Sequence, residues 1–282
     1  MLKPKDDDAR RAFWTEMMDQ AHDFMGQILA YPVRECGEPM QSLVGAARAA
    51  GIEVATSPKL YLRRLPRLYY LRAGLVPQLL AAAREMNERG WVLKFEDGYR
   101  TAEMQQSNAR REEIFTGILR AVRWECRGET PPLDLLYRRV GALIANAPKV
   151  GTHMSGSALD VSVLNRDTGK EVDRGAPYLE MSELTPMDSP FVSATAQQNR
   201  REITALMRRH GFVDYPAEFW HYNAGDAYAE YLTHTGQPAR YGAVAMNPAD
   251  GRVTPIANPT EPLNPPAVIR ELMEHALAHM AS

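Results

Sequence analysis

The sequence predicts a mixed α+β protein, and three observations carry that prediction. Stretches with apolar residues at helical spacing recur along the chain. Three short runs read instead as strands. Glycine and proline fall between the two kinds of segment, where a helix or strand has to end.

With 282 residues, 45 % hydrophobic and 24 % charged, the chain has ample material for a buried core. A net charge of −2 and a pI near 6.4 supply no basic field for nucleic acid. The local basic pairs Arg63-Arg64, Arg110-Arg111 and Arg200-Arg201 read as solvated helix faces. Cys36 and Cys126 lie 90 residues apart with no CxxC partner, which suits a reduced pair. The first residues hold no apolar core of signal-peptide length, and no run is long enough to span a bilayer. A cytoplasmic protein with no membrane partner is therefore expected.

The first helix is predicted over 9–30, with Phe13, Met17, Met18, Phe24 and Ile28 inward. Residues 31–70 give a mixed signal punctuated by Pro32, Gly37 and Pro39. After Pro77 a helix follows over 78–89, with Leu79, Leu80, Ala83 and Met86 on one face and Gly90 as its stop. A strand over 91–95 delivers Asp97-Gly98-Tyr99-Arg100 to a turn. Residues 101–123 read as one helix with Met104, Ala109, Ile114, Ile118 and Val122 as core contacts. Pro131-Pro132 interrupts the pattern, and 133–144 resumes it. A turn at 154–157 leads into a strand over 158–164, with Val161 and Val163 on one face and Asp160 and Ser162 on the other. An amphipathic helix over 199–210 buries Ile203, Leu206 and Met207, and a short strand follows over 219–222. Beyond residue 225 proline becomes frequent, which predicts an extended segment that ends in a helix over 267–280. The chain thus divides into a mostly helical N-terminal extension (1–60), a core (61–225) and a Pro-rich C-terminal extension (226–282).

Two short segments of the core concentrate the ligand chemistry, one from His153 to Asp160 and one from Glu218 to Tyr222. Two imidazoles and a carboxylate can hold one divalent metal, leaving a position open for water and Glu218 as a base outside the ligand set. His153 and Asp160 are seven apart, so a straight strand would aim them at opposite faces. A turn at Gly156 removes that conflict by folding His153 back over the strand. Glu218 and His221 also have opposite parity, and Pro216 predicts a turn or bulge that brings both to one cleft. Trp220 and Tyr222 read as packing residues. His275 and His279 lack the His-Glu-x-x-His order and read as a surface pair, and His210 sits in the last turn of a helix.

Gly151-Thr152-His153, Gly156, Ala158 and Asp160, together with Glu218, Trp220 and His221, resemble the two signatures of the zinc D-Ala-D-Ala peptidase family. The vancomycin-resistance D-alanyl-D-alanine dipeptidases look most similar. Asp97-Gly98-Tyr99-Arg100 matches their arginine-bearing turn, and the run from Asp160 to Gly169, with Glu171, Val172 and Gly175, matches their strand and hairpin. Gln198-Asn199-Arg200-Arg201 matches the start of a late helix, so the resemblance spans roughly 65–225. It implies a small, mainly antiparallel sheet backed by helices and one Zn2+ per chain on His153, Asp160 and His221. It further implies Glu218 as general base, Arg100 as stabiliser of the developing oxyanion, and a short peptide substrate with D-amino acids. The family usually has serine where Gly151 stands, with Thr152 next as a candidate substrate contact. Its dipeptidases grip the substrate ammonium with an aspartate where Leu179 falls, which makes the neighbouring Glu180 the candidate substitute.

Three other readings share these residues. Non-haem iron oxygenases use the same ligand set but commonly place the first histidine and the acid two positions apart, against seven here. A carboxypeptidase or endopeptidase of the same family would act on longer peptidoglycan peptides. A metal-bearing peptide-binding module would keep the ligands without turnover.

Overall fold

The structure is a computed structural model that describes residues 4–58, 60 and 65–281; the Arg63-Arg64 pair lies outside the described residues. In chain order its elements are α1 (Pro4–Ala30), β1 (Met40–Ser42), α2 (Leu43–Ala49), β2 (Val54–Thr56), β3 (Tyr70–Arg72), α3 (Val76–Glu88) and β4 (Trp91–Asp97). There follow α4 (Ala102–Arg110), α5 (Glu112–Glu125), α6 (Leu133–Ile144), β5 (Ala158–Asn165), α7 (Ala194–Arg209), β6 (Val213–Tyr215) and β7 (Glu218–Asn223). The last elements are α8 (Ala227–Leu232), β8 (Val244–Met246), β9 (Val253–Pro255) and α9 (Pro266–Ala281).

Five strands form the central sheet in the order β2-β4-β5-β7-β6. Only β2 pairs in parallel, with β4; the other neighbours are antiparallel. This is the expected α+β architecture with a small, mainly antiparallel sheet. Alternation assigns the two faces of β5. Leu159, Val161 and Val163 enter an apolar cluster with Leu79, Ala83 and Met86 of α3 and Ile203, Leu206 and Met207 of α7. A second cluster joins α1, α5, α6, α8 and α9 through residues such as Trp14, Ile118, Val140, Tyr228 and Ile269. Buried Arg139 ties this helical layer together by pairing with Asp19 of α1 and Glu125 of α5. The cleft lies where the polar face of the sheet meets the helical layer, and its wall includes Met25 of α1 and Tyr228 of α8.

Two interruptions of the ladder aim side chains into that cleft. Leu93 and Phe95 face the apolar cluster, and unbroken alternation would send Asp97 the same way. A bulge between Phe95 and Asp97 instead sets Asp97 opposite Asp160. The second interruption lies between Asp214 and Tyr215, so that Tyr215 pairs with Glu218 while Asp214 pairs with Tyr222. This is the bulge predicted beside Pro216.

Several local expectations change. The buried stripe of α1 is Trp14, Met18, Ala21, Met25 and Ile28, with Phe13, Met17 and Phe24 only half-buried at its flanks. The predicted helix over 101–123 is two helices, because Arg111 adopts an extended conformation (φ −75°, ψ 121°) that ends one and starts the next. Helix α7 begins five residues before the predicted start, where the Ser193 side chain accepts from Ala196 N. The Pro-rich segment also contains α8 and the β8–β9 hairpin, and it is stitched to the rest by Tyr99 Oη donating to Val244 O at 2.9 Å.

Arg200 is not on a solvated face: it is 1 % exposed. Its guanidinium donates to the carbonyls of Arg174 (2.8 Å), Pro186 (2.7 Å) and Leu184 (2.8 Å), which holds the long loop before α7 in shape. Arg200→Ala strips these carbonyls of their donor and is expected to cost about 3 kcal/mol, read as a lowered denaturation midpoint. An unchanged midpoint would show that the loop is held by other contacts.

Candidate metal centre and active site

The sequence between Val150 and Ala158 folds into a short 3-10 turn, Thr152–Ser155, closed by Gly156 in the left-handed region (φ 66°). Glycine suits that conformation because a side chain would be strained there. The turn brings His153 back over β5, as the odd spacing required. Asp160 on β5 sits directly opposite His221 on β7, and opposite residues share a face.

His153 Nε2 lies 3.2 Å and His221 Nδ1 2.9 Å from Asp160 Oδ1, and all three side chains are buried. One ligand atom from each falls within 4.8 Å of the others, the only such group among the described residues. The outer ring nitrogens decide whether the group fits a metal. His153 Nδ1 is 2.7 Å from the carbonyl oxygen of Gly98, which can only accept, so Nδ1 carries a proton and Nε2 is the atom left to the cluster. His221 Nε2 is 3.1 Å from Asn223 Oδ1 and 3.2 Å from Thr152 Oγ1, which leaves Nδ1 as its ligand atom. Two imidazoles fixed by outer hydrogen bonds, plus one carboxylate, match the three-ligand set of a catalytic zinc site. Loss of such an outer partner typically weakens metal binding by about 10- to 100-fold. Asn223→Ala is expected to do so in a competitive chelator titration, and an unchanged zinc affinity would remove Asn223 from this role.

The carboxylate is held as firmly. Asp160 Oδ2 accepts from Tyr178 Oη at 2.8 Å and from Arg100 Nη2 at 3.3 Å, which leaves Oδ1 to the imidazoles. Burial opposes ionisation of Asp160, but the facing rings of His153 and His221 outweigh it and hold its carboxyl well below the usual range. Arg100 Nε donates to Asp97 Oδ2 at 2.8 Å and Nη1 to Gln105 Oε1 at 3.2 Å. Arg100 is thus paired with Asp97 while its guanidinium still lines the cleft, and Glu96 pairs with Lys94.

Glu218 lines the same cleft, with Oε2 4.0 Å from His221 Nδ1 and its side chain 18 % exposed. Burial is the main cause that pushes its carboxyl up to about 7; Asp160 adds to this, while His221 and Arg100 oppose it. Thr152 also lines the cleft, but its hydroxyl donates to Asn223 Oδ1 at 2.8 Å. Of the loop after the hairpin, Tyr178, Leu179 and Met181 line the cleft, and Glu180 is not among the lining residues.

Sequence reasoning missed Tyr178, Asn223 and the Gly98 carbonyl. Asn223 was within reach of it, since it lies two residues after His221 and so shares its face of the strand. Tyr178 lies on an irregular loop without periodicity, and a main-chain carbonyl leaves no mark on residue identity. His275 and His279 lie exposed on α9 with Nε2 atoms 3.2 Å apart, and His210 pairs with Glu85 at 2.8 Å.

Set in a cleft and flanked by a partly buried acid outside the ligand set, this centre makes the protein a zinc metallopeptidase. Residues 137–238 match the family described as D-Ala-D-Ala dipeptidase. The D-alanyl-D-alanine dipeptidase of Synechocystis sp. is 28 % identical over 221 residues, covering 70 % of this chain and 86 % of that protein. The enzyme of the same name from Enterococcus faecium is 35 % identical over 71 residues, covering 25 % of this chain and 35 % of its own length. Among solved structures, the vancomycin resistance D,D-pentapeptidase VanY in complex with Zn(II) is 17 % identical, with a TM-score of 0.34 over 67 % of this chain and 95 % of that one. The matched segment, 137–238, holds His153, Asp160, Glu218 and His221, so the similarity to that family falls on the metal centre itself.

Proposed function

We propose that this chain hydrolyses the peptide bond of D-alanyl-D-alanine or a related short D-amino-acid peptide. The observation that carries the reading is the position of Glu218, a partly buried acid outside the ligand set that shares the cleft with His153, Asp160 and His221. In this reading those three residues hold one zinc ion. Bound there, zinc supplies Lewis-acid polarisation of the scissile carbonyl and a lowered pKa for its water. Glu218 accepts the proton of the attacking water and returns it to the leaving amine, a role suited to a carboxyl whose pKa burial has brought to about 7. Arg100, fixed through Nε by Asp97, offers a permanent positive charge to the oxygen on which negative charge develops. The relatives from Synechocystis and Enterococcus faecium support the substrate class. A cytoplasmic setting is part of the same reading, and cell fractionation tests it.

One observation favours the second reading, a carboxypeptidase acting on longer peptides. The loop that reaches the cleft contributes Leu179 and Met181 rather than an acid. A free substrate ammonium then lacks a carboxylate partner on that loop, and an N-blocked peptide would meet no unpaired charge there. Zinc-reconstituted protein offered D,D-, L,D- and L,L-dipeptides and their N-acetyl counterparts decides between the two. Cleavage of D-alanyl-D-alanine that N-acetylation abolishes supports the dipeptidase. Equal or faster cleavage of the acetylated peptide moves the assignment to a carboxypeptidase. Binding of the peptides without any cleavage would refute hydrolysis and leave a metal-bearing binding module.

A further inference from the structure

Three tyrosines line the cleft, and two of their hydroxyls are spoken for: Tyr178 donates to Asp160 Oδ2, and Tyr228 donates to Val150 O at 2.7 Å. Tyr215 is different. It is 3 % exposed, and its hydroxyl has no hydrogen-bond partner among the described residues. Buried hydroxyls are almost always satisfied, because an unmet one forfeits its hydration for nothing.

The ring is firmly placed. It packs against Phe24 (5.4 Å between centroids), Tyr228 (5.2 Å) and His221 (6.0 Å). The interrupted pairing of β6 with β7 puts Tyr215 directly opposite Glu218, so both side chains leave the sheet on the cleft side. A neutral phenol offers one O–H to a hydrogen bond, and among the described residues no acceptor takes it. Its missing partner is therefore an acceptor oxygen. In the proposed reaction Glu218 delivers its proton to the leaving amine, which places Tyr215 beside the residue that is released. The acceptor on that residue is its carboxylate.

We propose that the Tyr215 hydroxyl is a substrate-binding donor for the carboxylate of the C-terminal residue of the peptide. The inference rests on the peptidase reading for the direction in which the peptide lies, and its test is arranged to be independent of turnover. The probe is the reduced-amide analogue of D-alanyl-D-alanine, with CH2–NH in place of the scissile amide, titrated calorimetrically into zinc-loaded wild type and Tyr215→Phe. Loss of a hydrogen bond to an ionised oxygen predicts affinity weakened by about 10- to 100-fold. Thermal stability of the free Phe variant should be unchanged or raised, since only an unpartnered hydroxyl is removed.

That pairing of weaker binding with undiminished stability separates a recognition role from a structural one. Where the parent dipeptide is turned over, KM rises more than kcat falls. Equal affinity of the two proteins for the analogue overturns the proposal, as does a lower melting temperature for Tyr215→Phe, which would reveal an internal partner. The C-terminal amide of the analogue should show a much smaller gap between the two proteins, and a gap of the same size overturns the carboxylate assignment. Should wild type cleave no peptide while these titrations behave as expected, hydrolysis fails and the role of Tyr215 stands.

Discussion

Glu218→Gln is expected to bind one zinc per chain as wild type does and to lose turnover by about 10²- to 10⁴-fold. Glutamine keeps the shape of the side chain and its place opposite Tyr215, so the fold and the ligand set have no reason to move. What disappears is a group that can both take and return a proton. Removal of a carboxylate also leaves one negative charge fewer near Asp160, which favours a folded protein if it changes stability at all. Zinc content by atomic absorption, read beside kcat on the same preparation, separates the two roles assigned to the cleft. Turnover retained within a few-fold would refute Glu218 as the base. Loss of zinc together with turnover would place it among the ligands instead.

His153→Ala has the opposite signature, with zinc and turnover lost together. The ring supplies one of three ligand atoms, and its removal leaves Asp160 and His221, a pair too sparse for a tight site. It also leaves Asp160 buried with one imidazole fewer beside it, and the two rings are what hold that carboxyl ionised against burial. The apo variant should therefore protonate Asp160 more readily than apo wild type does. Dialysis against micromolar zinc followed by metal analysis reads the outcome. A variant that retains stoichiometric zinc would remove His153 from the ligand set.

Much of this centre was legible in the sequence because its constraints act over short stretches. The odd spacing of His153 and Asp160 demanded a reversal, and Gly156 was the residue able to supply it. Opposite parity at Glu218 and His221 demanded an irregular strand, and the pairing of Tyr215 with Glu218 is that irregularity. Alternation along β5 separated Asp160 from the apolar face before any partner strand was known. The rest depends on contacts between distant segments. Arg200 carries a charge and sits in an amphipathic helix, so local pattern places it in water; only the carbonyls of a loop 13 to 26 residues earlier make its burial tolerable. Tyr178 reaches Asp160 from such a loop, where side-chain direction follows no period. The break at Arg111 went unseen because nothing in a run of good helix formers marks a single extended residue.

The two imidazoles are secured unequally. One is hung from a main-chain carbonyl at position 98, which substitution there leaves in place; the other is hung from the side chains of Thr152 and Asn223, which substitution can erase. A lineage, or an engineer, wishing to loosen the grip on the ion without touching a ligand therefore has its opening at 152 and 223. The other anchor can be shifted only by reshaping the backbone.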